Sequence, residues 1–145
     1  MFTHQLTKDN KLLLIDFHSY AERHFLKRFK KDYKGKQWEE TEKSIKEDLS
    51  RIKVEKSDLQ FSQQVDELWY KDNYWIFKYD FRVALTKEST KTSGNRCIVF
   101  LDNGDNKMSI LIIYGKNDLP KNVGEQAYIE QTLNKEFIDL YRKIC

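Results

Sequence analysis

Cysteine is scarce in this chain. Cys97 lies inside an apolar run and Cys145 is the last residue, so the two form neither a CxxC pair nor a disulfide framework and read as reduced thiols in a cytosolic protein. The histidines His4, His18 and His24 show no ligand spacing with each other or with the cysteines, so no metal is expected. Neither a GxGxxG nor a phosphate-loop motif occurs, so no nucleotide cofactor is expected. Proline occurs once, at Pro120, and without a repeat, a low-complexity tract or a linker the chain reads as a single domain over 1–145. No apolar stretch approaches the ~20 residues that span a bilayer, and MFTHQLTKDN lacks the apolar run of a secretory signal. The expectation is a soluble, cytoplasmic protein with no membrane partner.

What is abundant is charge and aromatic surface. Over 145 residues, 34% are charged and 14% aromatic, enough apolar area for a core without disulfides or metal. The net charge of +3 is too mild to imply a nucleic-acid partner, so the placement of the cations has to carry any such reading.

From Tyr74 to Thr86, Trp75, Phe77, Tyr79, Phe81, Val83 and Leu85 alternate with a set that includes Lys78, Asp80, Arg82 and Thr86. A period of two predicts a strand with one apolar face, and puts Lys78 and Arg82 together on the other. Arg96 to Leu101 is nearly all apolar, as in a mid-sheet strand. Asn103-Gly104 is a hairpin signal, and Met108 to Tyr114 completes the sheet.

Upstream, Lys11 to Phe17 has strand length, and Ser19 with Glu22 matches a capping box at a helix start. Ala21, Phe25, Leu26, Phe29 and Tyr33 form an apolar stripe ending at Gly35. Arg23, Lys27, Arg28, Lys30, Lys31, Lys34 and Lys36 surround that stripe, against Asp32 alone. A second helix follows, with Trp38, Ile45, Leu49 and Ile52 on its stripe, so the two make an antiparallel hairpin laid on the sheet. Lys53 to Asp72 fits neither period and reads as a connector. A last helix begins near Gly124, with Ala127, Ile129, Leu133, Phe137, Leu140, Tyr141 and Ile144 as packing positions. The fold class expected is α+β: an N-terminal two-helix hairpin on a small, mainly antiparallel twisted sheet, with a C-terminal helix.

A two-helix hairpin, a YxxxKYDFR strand, a GNRxIVF strand, an ILIIYGKND strand end and a short terminal helix containing a tyrosine together resemble the RelE/ParE superfamily of toxins from bacterial toxin-antitoxin pairs. The resemblance spans roughly Asp16 to Leu133. It departs from the small members in a longer N-terminus, the Lys53 to Asp72 connector and a C-terminal extension. It implies a RelE-like fold and a ribosome-dependent messenger-RNA endonuclease that needs no metal. The implied partners are a cognate antitoxin, mRNA and the ribosome. Residue by residue, it implies catalytic roles for Lys78, Arg82, Arg96 and Lys116, with Tyr128 near the scissile nucleotide. Such cations suit the phosphorane formed when a 2′-hydroxyl attacks its own phosphate. The basic helix residues Arg23, Lys27, Lys30, Lys31 and Lys34 are then RNA contacts. No histidine falls on the predicted sheet as a general base, which leaves Tyr128 or a lysine.

Each residue has an ordinary alternative. Lys78 and Arg82 equally describe the wet side of a sheet, Arg96 a partner of Asp80 or Asp102, Lys116 a loop charge and Tyr128 a packing residue. A gyrase-directed ParE-type toxin and a non-catalytic RNA-binding module held by its antitoxin are the competing functions.

Overall fold

The computed structural model describes residues 2–6, 12–54, 65–87 and 93–144. Strands β1 (Phe2–Leu6) and β2 (Leu12–Phe17) pair antiparallel, while β3 (Val65–Lys71), β4 (Tyr74–Phe81), β5 (Asn95–Asp102) and β6 (Lys107–Gly115) form an antiparallel meander. The units join where β2 runs parallel to β6, giving a six-stranded mixed sheet in the order β1-β2-β6-β5-β4-β3. The fold is therefore α+β with a mainly antiparallel sheet. The helical hairpin is not the N-terminal element, because two strands precede it.

Helix α1 passes from Ser19–Ala21 through a π-helical turn, Glu22–Leu26, into Lys27–Asp32. Its apolar residues recur every four positions, and an α-helix would let that stripe drift by about 40° per step. A π turn has more residues per turn and takes up the drift. The cap is His18, not Ser19: its extended backbone is bonded to β6 through His18 N–H to Ile110 O at 2.9 Å, and its Nδ1 accepts from Tyr20 N at 3.1 Å. After Asp32 the chain turns at Gly35 (φ +65°) into α2 (Lys36–Val54). A Cβ at Gly35 would meet nothing within 4 Å, so Gly35→Ala carries only the backbone penalty of a left-handed residue. It should lower stability by about 1 kcal/mol with an unchanged urea m-value.

Both faces of the sheet are covered. Ala21, Leu26, Phe29, Trp38, Ile45 and Leu49 from the hairpin pack on Ile15, Phe17, Phe77, Tyr79, Phe81, Cys97, Val99, Met108 and Ile110. Burial raises the pKa of the Cys97 thiol, which leaves it unreactive; Cys145 lies outside the described residues. On the opposite face, Ile129, Leu133, Phe137 and Ile144 pack on Ile76, Ile98, Phe100, Leu111, Ile112 and Tyr114. These come from two helices rather than one, α3 (Glu125–Glu136) and α4 (Ile138–Ile144), parted at Phe137, whose φ of −133° leaves the helical range. A register shift between Ile98 and Val99 lets Leu111 and Ile112 both face α3, a β-bulge in an otherwise alternating strand. Ala127, expected to pack, is exposed.

Two expectations about the sheet fail for local reasons. The stretch read as a connector holds β3, an edge strand whose register shifts between Glu67 and Trp69 and so hides its period of two. Strand β4 ends at Phe81 rather than Thr86. There α2 takes over the backbone, with Gln37 Nε2 donating to Ala84 O at 2.9 Å and Ala84 N–H donating to Thr41 Oγ1 at 2.8 Å. Leu85, expected inward, sits at φ +66° and is 81% exposed.

Candidate functional site

On β4, Lys78 and Asp80 point toward α3, and cross-strand pairing sets Asp80 opposite Arg96, which is in turn opposite Tyr114 of β6. Tyr114, Ile98 and Ile112 bound this polar patch, and the first residue of α3, Glu125, closes it from above. A helix N-terminus favours an acidic residue in its first turn, but here the carboxylate turns down onto the sheet. Lys78 Nζ donates to Glu125 Oε1 at 2.9 Å and lies 3.7 Å from Asp66 Oδ2 on β3. Arg96 Nε lies 3.2 Å from Glu125 Oε2 and 3.4 Å from Asp80 Oδ1, and the Tyr114 hydroxyl donates to Glu125 Oε2 at 3.0 Å. The Tyr128 ring meets that of Tyr114 edge-on, with centroids 5.6 Å apart.

The cluster is mostly out of water, with side-chain exposures of 18% for Lys78, 12% for Arg96 and 26% for Glu125. Burial pushes the Glu125 carboxyl upward, but Lys78, the Tyr114 hydroxyl and Arg96 outweigh it and hold its pKa below the ordinary value. At Asp80 burial wins, and Arg96 and Lys78 offset only part of the rise. Burial also raises the phenols of Tyr114 and Tyr128, so both hold their protons at neutral pH. Tyr128 is thus a poor proton acceptor. The guanidinium of Arg96 is held by charge rather than by aligned hydrogen bonds: its buried Nε and Nη1 have no hydrogen-bond partner among the described residues.

Of the residues singled out from the sequence, Lys78, Arg96 and Tyr128 come together. They do so within a network of carboxylates, not on a bare cationic face, and the polar side of β4 is covered by α3. Arg82 is exposed beyond the end of β4. Lys116 opens a short 3-10 turn, Lys116–Asp118, directly after β6, and its side chain lies outside the described residues. Arg23, Lys27, Lys30, Lys31 and Lys34 are all exposed, and among the described residues none forms a salt bridge. Their neighbour Arg28 is instead bound to Asp118 and lies 3.9 Å from Asp32. Lys27, Lys30 and Lys31, spaced by three and four, stack on one helix face.

Sequence reasoning missed Glu125, Asp66 and Tyr114; Asp80 was read only as an ordinary partner for Arg96, and that ion pair is present. Strand parity places Asp80 beside Lys78, and a tyrosine closing an apolar strand was a legible signal. Nothing local marks Glu125, which meets Lys78 across 47 positions of chain. His4 lies on β1, at the opposite edge of the sheet from β3, so one histidine does belong to the sheet, though far from this cluster. Among the described residues no group of three or more His, Cys, Asp or Glu is arranged to hold a metal ion, and no helix is long and apolar enough to cross a membrane.

Two clefts lie elsewhere. One of about 470 Å³ is lined by His18, Phe100, Asp102, Ser109, Glu136 and Lys143 among others, and a polar one of about 300 Å³ by Arg28, Asn95, Gly115 and Asp118 among others. In the first, burial lowers the pKa of His18, so its imidazole is neutral at physiological pH. Comparison with known protein families, with curated proteins and with solved structures gives no match to this chain.

Proposed function

We propose that this chain is a RelE-like toxin that binds RNA through the exposed basic face of α1 and cleaves messenger at the Lys78–Arg96 cluster. The observation that carries the reading is the convergence of two sheet cations with two tyrosines and a pair of carboxylates, Asp80 and Glu125, beneath the start of α3. Fixed cations in a water-poor site stabilise the charge that develops on a phosphorane, and a tyrosine ring stacks a base. Asp80, whose raised pKa makes it a better proton acceptor than an ordinary carboxylate, takes the 2′-hydroxyl proton. The 2′-oxygen attacks phosphorus, and the 5′-oxygen departs with a proton from water. The hairpin-on-sheet arrangement with helices on the far face supports a RelE-like architecture, enlarged by β1 and β3. A cognate antitoxin would silence the protein by covering the exposed cations.

One observation favours a second reading, a non-catalytic RNA-binding module: Lys78 and Arg96 are both already paired with the chain's own acids. Ribosome-stimulated cleavage of a messenger in a chelating buffer separates the two. We expect the parent to cut, and Lys78→Met to cut about a hundredfold more slowly, as for loss of a preorganised cation. A parent that cuts nothing removes the nuclease and leaves the binding module or a gyrase-directed toxin. A Lys78→Met variant that folds and cuts at the parental rate removes the Lys78–Arg96 cluster as the site of cleavage.

A further inference from the structure

Among the described residues Glu125 is the one acid within salt-bridge distance of both sheet cations of the cluster. It bridges Lys78 Nζ at 2.9 Å and Arg96 Nε at 3.2 Å, with one carboxylate oxygen toward each. That is how a phosphate would bridge them, with two of its oxygens on two cations. The fit to a carboxylate is incomplete, however. Arg96 Nε and Nη1 are buried, yet no described acceptor meets them with hydrogen-bond geometry. Buried donors without an acceptor are costly, and a guanidinium presents a fork that the more widely spaced non-bridging oxygens of a phosphodiester can engage. A phosphodiester has the same single charge and the same two strong acceptors as the carboxylate, but its tetrahedral centre sets them wider apart and at a different angle to the fork.

We propose that Glu125 is a built-in occupant of a phosphodiester seat formed by Lys78 and Arg96, so that RNA binds there only after its backbone phosphate displaces the Glu125 carboxylate. The inference rests on the RNA-binding reading above and adds a self-inhibitory contact to it. Displacement needs no unfolding: Glu125 is the first residue of α3, its side chain is part exposed, and a change of side-chain rotamer frees the seat while Ile129 and Leu133 keep the helix on the sheet. Tyr114, donating to Oε2 at 3.0 Å, latches the occupied state. A ligand that must first open a closed site binds more weakly by the fraction of molecules that are open, and removing the occupant removes that factor.

The test is binding of a 2′-O-methyl oligoribonucleotide, which this chemistry cannot cleave, to the parent, Glu125→Gln and Glu130→Gln. Glu130 lies on the same helix, exposed and touched only by Gln126 Nε2 at 3.2 Å among the hydrogen bonds of the described residues, so its variant reports the general gain from deleting one negative charge. Glu125→Gln keeps the shape and is expected to bind about tenfold more tightly, while Glu130→Gln gains no more than about twofold. The Arg96 Nε–H resonance should shift on titration of Glu125→Gln. Should that variant not fold, Tyr114→Phe, which removes the latch but keeps the charge, should show a smaller gain over the parent with the same resonance shift. Affinity no better than that of Glu130→Gln in the folded variant, or an Arg96 signal that does not move, overturns the proposal and leaves Glu125 as a tie between α3 and the sheet. Because the ligand is uncleavable, absence of nuclease activity does not touch this outcome. Failure of every form to bind RNA overturns both readings, and a parent that binds RNA with Glu125→Gln no tighter overturns only this one.

Discussion

Arg96→Ala is expected to cost about 3 kcal/mol of folding stability, because it leaves Asp80 and Glu125 buried against the sheet without the cation between them. The loss should depend on pH in a defined direction. Burial already places the folded-state pKa of Asp80 above its ordinary value of 3.8, and deleting Arg96 raises it further. Between the unfolded and the folded value the native state binds protons that the unfolded chain has released. Stability in that window therefore falls as pH rises, and it returns as pH drops. Glu125 acts in the opposite sense, since its pKa is held down and its contribution fades as pH falls through the lowered value. Arg96 is among the groups holding it down, so its loss weakens that opposing term. The variant should thus recover part of its deficit as pH falls from neutral toward the ordinary Asp80 value of 3.8 in urea titrations. Pairing Arg96→Met with Asp80→Leu should recover more at neutral pH, because an apolar pair carries no buried charge. A deficit under about 1 kcal/mol that is flat with pH would mean that the pair is solvated and the cluster open to water.

How far the sequence reached toward this cluster follows from what local periodicity encodes. Side-chain alternation on β4 put Lys78 on the face away from Phe77 and Tyr79, and the run from Arg96 to Leu101 in β5, nearly all apolar after its arginine, was readable as a strand. The hairpin was readable too, since a stripe at spacings of three and four followed by a glycine at positive φ has few other interpretations. What could not be read is what depends on contacts distant in sequence. The parallel pairing of β2 with β6 joins Leu14 to Lys107, and no local pattern announces such a partner. Strand β3 was hidden by its bulge, which reverses its alternation midway.

The polarity of the second sheet face was misread for a related reason. A strand with Lys78, Asp80 and Arg82 on one side has the pattern of a wet face, but Ile76, Ile98 and Ile112 lie beside the two charges that stay in the sheet. Mixed apolar and charged residues on one face signal a cover that itself carries charge, and the Glu125 end of α3 is that cover. Arg82 escapes only because Gln37 and Thr41 draw the chain off the sheet at Ala84. Burial of Lys78 and Arg96 against carboxylates also shifts the weight of the RNA-binding proposal toward α1, where Arg23, Lys27, Lys30 and Lys31, unlike Arg28, form no salt bridge among the described residues.

Replacing Lys27, Lys30, Lys31 and Lys34 together is expected to produce the largest change in affinity. Each lysine is exposed, none is paired with an acid among the described residues, and three stack on one face of α1, the fourth following in the turn before Gly35. A cation that neutralises a phosphate releases a condensed counterion, so log K falls with log salt by about 0.7 for each contact on single-stranded RNA. Losing four contacts should flatten that slope by about 3, which at 0.1 M salt weakens binding by about two to three orders of magnitude. The fold should not notice, because Ala21, Leu26 and Phe29 hold α1 from its other side and exposed charges without partners contribute little to stability. Titrating a labelled oligoribonucleotide at several salt concentrations, with thermal melting alongside, gives both quantities. A slope that survives the fourfold replacement would assign α1 to ordinary solvated surface, and the phosphate contacts would then have to come from Arg82, Lys116 and the seat beneath Glu125.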